Sequence, residues 1–308
     1  MTPGHGHAHD HALTATGRHR GTLAVVLGIT LVIAAGEVIG AAVSGSLVLL
    51  ADAGHMAADA AGVGLSLLAA YFASKPATER RTFGYARLEI LAATANALLL
   101  FGMAAFIMVE AVRRLAVPQP VGAGLMAVFG CIALAGNGAS MLLLRHAQAE
   151  SLNARGAFLE VASDTFGALA VLVTAAIIAG TGFTRADPIA SLAVGVLILP
   201  RTWRLLRDAV DVLLEASPRG IDLTEVRQHL TGLDGVLDVH DLHAWTITSG
   251  LPVLSAHVVV KEATLASGCG PSILDRLQEC LRGHFDVEHS TFQLEPSGHA
   301  DHEPSVHE

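Results

Sequence analysis

The sequence predicts a membrane bundle of six transmembrane helices followed by a small α+β domain. Three observations predict it. Hydrophobic residues make up 52% of the 308-residue chain and charged residues only 15%, where an average soluble domain carries about 25% charge. Mean hydropathy is +0.53. Apolar runs long enough to cross a bilayer recur six times before residue 207 and then stop. Abundant Gly and Ala with few aromatics suit closely packed spans. A large soluble enzyme rich in Ala and Val is the competing class, and it has no need of runs that long.

The spans are read at 22–43, 47–73, 86–115, 121–145, 152–180 and 187–206. Ser44, Gly45 and Ser46 leave room only for a very short first hairpin. Pro118 and Pro120 break the third span from the fourth, and Gly180, Gly182 and Pro188 break the fifth from the sixth. The first 20 residues are polar and rich in His, with no small-residue cleavage motif after a short apolar core, so the first span is expected to be retained rather than removed as a signal peptide. With the N-terminus inside, the inner segments carry Arg18, Arg20, Lys75, Arg80, Arg81, Arg87, Arg145, Arg155, Arg201, Arg204 and Arg207. The outer segments carry only Arg113, Arg114 and Arg185. That asymmetry places both termini in the cytoplasm.

After residue 207 charge returns. Asp222-Leu-Thr-Glu225 has the form of a capping box opening a short helix that ends near Gly232. Residues 236–248 and 252–261 read as strands rich in β-branched residues, joined by a hairpin turn at Gly250 and Pro252. Residues 271–283 read as an amphipathic helix and 287–295 as a last strand. The order α-β-β-α-β gives a small sheet with helices on one face. The expected divisions are a His-rich tail at 1–20, the six-helix domain at 21–207, the α+β domain at 208–296 and a second tail at 297–308. The tails hold His5, His7, His9 and His11 at one end and His299, His302 and His307 at the other, and neither has the apolar content to fold.

Composition also excludes. A formal charge of −9 argues against nucleic-acid binding. Cys131, Cys269 and Cys280 give no disulfide framework and no zinc-ribbon spacing. There is no Walker A motif and no HExxH motif.

The chemistry lies in two polar clusters inside apolar runs. LLADAGHMAADAAGVG contains Asp52, His55 and Asp59, and GAFLEVASDTFGALAV contains Glu160 and Asp164. His55/Asp59 and Glu160/Asp164 are each spaced i, i+4, so each pair leaves one helix face. A charge at mid-bilayer costs roughly 2.5–3.5 kcal/mol, and a bound divalent cation, or protons in its absence, offsets that cost. If the two helices face each other, one nitrogen and three carboxylates form a cage suited to tetrahedral Zn²⁺. Co²⁺, Ni²⁺, Fe²⁺ and Mn²⁺ are not excluded by ligand type. Asp52 reads equally as a proton relay, a ligand on the way in, or a packing partner. Asn96 and Asn137 read as interhelical hydrogen-bond formers, and Glu37, Glu89 and Glu110 as residues of water-accessible boundaries.

In the last third, His240, His243, His257, His284 and His289 cluster. Regular alternation puts His240 and His243 on opposite faces of their strand, and His289, Gln293 and Glu295 on one face of theirs. A site from His243, His257, His289 and Glu295, with His240 and Asp241 near a further one, is one reading. Polar strand-edge residues are the other.

ADAGHMAADA, RRTFGYARLEILAATANA, SLNARGAFLEVASDTFG and HDLHAW together resemble the cation diffusion facilitator family of divalent-metal/proton exchangers, nearest its bacterial zinc, cadmium and cobalt efflux branch. The resemblance covers about residues 20–296. It implies an antiporter of the inner membrane, not an enzyme, that exports Zn²⁺ and by extension Cd²⁺ or Co²⁺ in exchange for protons. It also implies a homodimer joined through a ferredoxin-like, metallochaperone-like cytoplasmic domain that binds Zn²⁺ itself. The transport site falls on His55, Asp59, Glu160 and Asp164. Zinc-selective members usually have His-x-x-x-Asp on both helices, so Glu160 stands where a second nitrogen is expected, and a harder, more anionic site admits Cd²⁺ or other ions beside Zn²⁺. A membrane-anchored metal sensor and an intramembrane metalloenzyme are the alternatives. The first has no need of carboxylates at mid-span, and the second lacks a nucleophile beside the cluster.

Overall fold

The computed structural model describes residues 8–299 and His302. Among the described residues, six helices are long and apolar enough to cross a membrane. They are α1 (Ala8–Ser44), α2 (Leu47–Ala73), α3 (Leu88–Ala116), α4 (Ala123–Leu144), α6 (Leu152–Thr181) and α7 (Ala186–Leu213), with a single turn, α5 (Ala147–Glu150), between the fourth and fifth. Five of the six expected spans agree to within about two residues. The sixth does not stop at 206 but continues to Leu213 with Pro200 inside it. Arg204 and Arg207 ended the apolar run, yet a helix satisfies its own backbone and does not need lipid to continue. Likewise α1 begins at Ala8, inside the segment expected to be an unfolded tail. Adding residues to a helix already nucleated by a membrane span is far easier than starting one. Residues 1–7 and most of the C-terminal tail lie outside the described residues.

The chain divides into two compact units. In the first (residues 1–66 and 95–206), α1, α4 and α6 pack closely. Small residues permit the approach: a Cβ at Gly40 would sit 2.6 Å from the Phe129 ring, and one at Gly136 2.7 Å from Ile33. Helix α2 is held against this trio by Met56, Ile33, Ala133 and Ala168. On its other side Leu47 and Ala51 meet Ile107 and Ala111 of α3.

The first hairpin is fixed by a residue distant in sequence. Asp187, fully buried in the first turn of α7, accepts hydrogen bonds from the Ser46 hydroxyl (2.6 Å) and from the Leu47 (2.7 Å) and Val48 (3.2 Å) N–H groups. It thereby caps the N-terminus of α2, whose first-turn donors have no partner within the helix. Arg114 closes the other side, donating to the Gly45 carbonyl at 2.6 Å and to Glu110 at 3.0 Å. Each hydrogen bond to a charged acceptor is worth roughly 1.5–3 kcal/mol. Asp187→Ala is therefore expected to lower the thermal midpoint of the detergent-solubilised protein by several degrees, and Asp187→Asn by less. Equal midpoints for wild type and the Ala variant would show that the cap is dispensable.

The second unit comprises residues 67–94 and 207–308. Its sheet has the order β1-β2-β3, with β1 (Val236–Thr246) antiparallel to β2 (Pro252–Val260) and β2 parallel to β3 (His289–Pro296). Helices α8 (Leu223–Thr231) and α10 (Gly270–Phe285) flank it, with one short turn, α9 (Glu262–Ala266), after β2. Asp222 caps α8, its carboxylate accepting from Thr224 N–H at 2.8 Å. Val226, Leu230, Val239, Leu254, Leu277 and Leu281 form the core between helices and sheet. This α+β unit has the expected element order, α-β-β-α-β, with the short α9 added after β2.

Candidate metal sites

His55, Asp59 and Glu160 come together in the bundle, each offering a ligand atom within 4.8 Å of the others. His55 Nε2 lies 3.3 Å from Asp59 Oδ2, without the alignment of a hydrogen bond. His55 and Asp59 share a face of α2 because they are one turn apart. Successive spans alternate in direction, so α2 and α6 run antiparallel, and Asp59, the deeper of its pair, meets Glu160, the first of its own. A fourth group is present that the spacing did not announce: Arg201 of α7 places Nη2 3.9 Å from Glu160 Oε2.

Asp164 is not part of that set of three. One turn further along α6, it is 3% exposed, its Oδ1 has no hydrogen-bond partner, and it lies close enough to Asp52 for direct repulsion. Asp52, 5% exposed, lodges against Gly167, where a Cβ would come within 2.3 Å of Oδ1. Glu37 completes the group. It is 1% exposed, faces Asp52, and has no hydrogen-bond donor to either oxygen. The expectation that Glu37 sits at a wet boundary is therefore wrong. It lies only about two turns from the end of α1, but α2, α4 and α6 close over that end. Its legible signal was its isolation, the sole carboxylate in the first apolar run. Asn137 is 1% exposed with neither side-chain atom paired, so the interhelical hydrogen bond expected of it is not formed.

A second cluster forms on the sheet from His240, His257 and Glu295. Glu295 is 1% exposed, hydrogen-bonds His240 Nε2 at 3.1 Å, accepts from Gln293 Nε2 at 2.8 Å, and lies 2.8 Å from His257 Nδ1. Strand alternation misplaced His240 and His243. Their partners on β2 are His257 and Ser255, two residues apart, while they themselves are three apart. A bulge therefore absorbs one residue, with Asp241 at φ +46, and returns both His to the same face. Asp241 then reaches His243 (2.9 Å) and His257 (3.8 Å). His289 does not join. It pairs with Val253 at the far end of β2, and its ring meets Phe83 at 5.6 Å. His284 bonds the Cys280 carbonyl, an ordinary helix-end contact, while burial pushes the Cys280 thiol up from its usual value. In the 75–87 loop Arg87 meets Glu215 at 2.7 Å, whereas Asp208 and Asp211 face Arg219.

Two half-buried groups of nitrogen and carboxylate ligands, one inside the bundle, are an arrangement suited to divalent metal. Comparison with known proteins agrees. Residues 23–214 match the family model described as the cation efflux transmembrane domain, and residues 218–297 that of the cation efflux protein cytoplasmic domain. The chain is 40% identical over 292 residues to the metal cation efflux system protein CzcD of Cupriavidus metallidurans, covering 95% of this chain and 90% of that one. It is 38% identical over 293 residues to the zinc transporter ZitB of Escherichia coli, with 94% and 92% covered. It is 36% identical over 300 residues to a cadmium, cobalt and zinc/H(+)-K(+) antiporter of Bacillus velezensis, with 96% and 93% covered.

Proposed function

This chain belongs to the cation efflux, or cation diffusion facilitator, family, and from that premise we propose that it carries divalent metal, Zn²⁺ first, out of the cytoplasm through the site built on His55, Asp59 and Glu160. Its activity is efflux of divalent metal cations across a membrane that it crosses several times, and it is not an enzyme. The observation that carries the reading is the placement of one imidazole and two carboxylates within 4.8 Å, on two antiparallel spans. The relatives' names include zinc, cadmium and cobalt, which supports the same cargo here. Asp164 completes the ligand set when the helices shift by a fraction of a turn. Asp52 and Glu37 continue the carboxylate track from it toward the first hairpin, on the outer side if both termini are cytoplasmic.

Protons and metal compete for the same lone pairs, so each displaces the other. With 100 mV across the membrane, one charge is worth about 2.3 kcal/mol, and lone Zn²⁺ export therefore costs about 4.6 kcal/mol. Returning one proton halves that and returning two removes it. In proteoliposomes loaded with a metal-sensitive dye, an imposed pH gradient is expected to speed metal flux in one direction and slow it in the other. Flux indifferent to gradients of both signs rules out proton exchange.

The donor set His240, His257 and Glu295, with Asp241 and His243 beside it, also fits Zn²⁺. Glu295 is too deeply buried to be left without donors, and a metal held there replaces the donated protons with a stronger positive charge. We place this domain in the cytoplasm as the joint of a homodimer, following the family, with its metal drawing the two subunits together.

A further inference from the structure

Between Ala73, where α2 ends, and Leu88, where α3 begins, the chain turns at a bilayer surface. That segment carries Lys75, Arg80, Arg81 and Arg87 against a single acid, Glu79. It is a shaped structure: Thr78 and Arg81 exchange backbone hydrogen bonds at 3.0 Å, and Gly84 turns at φ +61, where only glycine is unstrained. Lys75 lies over the Phe72 ring at 4.5 Å, an aromatic-cation anchor suited to the interface.

Beneath the segment, between it and the β1 face within the same unit, lies a cavity of about 970 Å³ walled by Arg80, Arg81, Arg87, Phe83, Tyr85 and Trp245. The three arginines are not equivalent. Arg87 is neutralised by Glu215 at 2.7 Å. Arg81 is set in place by the Tyr85 hydroxyl at 2.9 Å and by stacking 4.6 Å above the same ring, contacts that leave its charge uncompensated. Arg80 has no ion pair among the described residues. Two positive charges thus face a cavity whose only lining carboxylate, Glu215, is already committed. One side of the rim is apolar and belongs to a membrane span, Leu88 and Leu91 of α3, the latter 48% exposed, while Ser217, His243 and Ser255 add uncharged or weakly basic polar groups on the domain side.

A cationic pocket open to apolar surface on a membrane helix matches a ligand with a phosphate at one end and acyl chain at the other. We infer that this cavity binds the headgroup of an anionic phospholipid, its phosphate against Arg80 and Arg81 and its chains along Leu88 and Leu91. The volume suits a headgroup, and each arginine near an anionic lipid surface contributes independently to binding. A soluble phosphate ester shares the arginine chemistry but has no use for the leucines.

The test is native mass spectrometry of the full chain in detergent, titrated with phosphatidylglycerol or with phosphatidylcholine of the same chains. Phosphatidylglycerol adducts are expected to persist where phosphatidylcholine is stripped. Arg80→Gln with Arg81→Gln is expected to reduce their occupancy about tenfold or more. Arg80→Lys with Arg81→Lys is expected to keep most of it, which separates lost charge from a misfolded loop. Lys261→Gln, a charge removed elsewhere, is expected to change nothing. Equal retention of the two lipids, or full retention in the double Gln variant, overturns the site. Displacement of phosphatidylglycerol by millimolar glycerol 3-phosphate overturns the lipid as its occupant.

Discussion

Asp59→Ala is expected to abolish metal flux while leaving an assembled, membrane-inserted protein. Asp59 is one of the charged ligands of the proposed site, sits 3.3 Å from His55 Nε2, and lies near the middle of α2. Without it the compact set falls to His55 and Glu160, and Glu160 already has Arg201 beside it. Altering a group that merely supports a metal ligand typically costs 10–100-fold, so deleting the ligand is expected to cost more than about a hundredfold in flux. A packing role makes the opposite prediction for stability. The side chain is 25% exposed and Oδ2 has no hydrogen bond, so Ala removes a charge that is costly to insert and leaves no donor stranded. The variant is expected to accumulate and to melt at or above the wild-type temperature while its flux in proteoliposomes is lost. Asp59→Asn keeps the shape and loses the charge, and is expected to behave like Ala. Near-normal flux in either variant removes Asp59 from the site.

The fold was legible because a bilayer makes each span announce itself. The Ser44–Ser46 hairpin and the Pro118/Pro120 break needed no tertiary information. What stayed hidden needed three dimensions. Nothing in the sequence around Asp187 signals that it caps a helix 140 positions earlier. Arg201 sat among the cationic residues counted for orientation, and only the packing of α7 brings it to Glu160. His240 and His243 were assigned to opposite faces because period-2 alternation assumes an unbroken strand, and the bulge at Asp241 breaks it. Glu37 was misread because distance along a helix measures depth in the bundle only when nothing covers its end. The i, i+4 pairs are plain in the sequence, but the antiparallel offset between α2 and α6 decides that Asp59 rather than Asp52 meets Glu160.

Glu160→His is the substitution expected to change ion preference most, and Arg201 decides how it reads out. His55, Asp59, Glu160 and Asp164 bring three carboxylates, and the guanidinium 3.9 Å from Glu160 offsets one of them. With Asp164 recruited to the proposed site, all three carboxylates ionised and His55 neutral, the net charge is −2, which matches a divalent cargo. Replacing Glu160 with His exchanges a hard oxygen for a borderline nitrogen and favours Zn²⁺ over Mn²⁺. It also leaves Arg201 facing the metal without its carboxylate. Arg201 is 72% exposed, so water screens much of that repulsion. The single variant is expected to transport all metals less well and to shift the Zn²⁺ to Mn²⁺ ratio by about tenfold, equivalent to about 1.4 kcal/mol. Adding Arg201→Gln is expected to restore Zn²⁺ flux while keeping the shifted ratio, whereas Arg201→Gln alone leaves the set at −3 and is expected to slow metal release. Competition among Zn²⁺, Cd²⁺, Co²⁺ and Mn²⁺ in proteoliposomes reads all three variants. If Glu160→His leaves the ratio unchanged, the residue does not touch the ion. If the ratio shifts but Arg201→Gln adds nothing to it, selectivity rests on ligand type alone and the charge-balancing role of Arg201 is wrong.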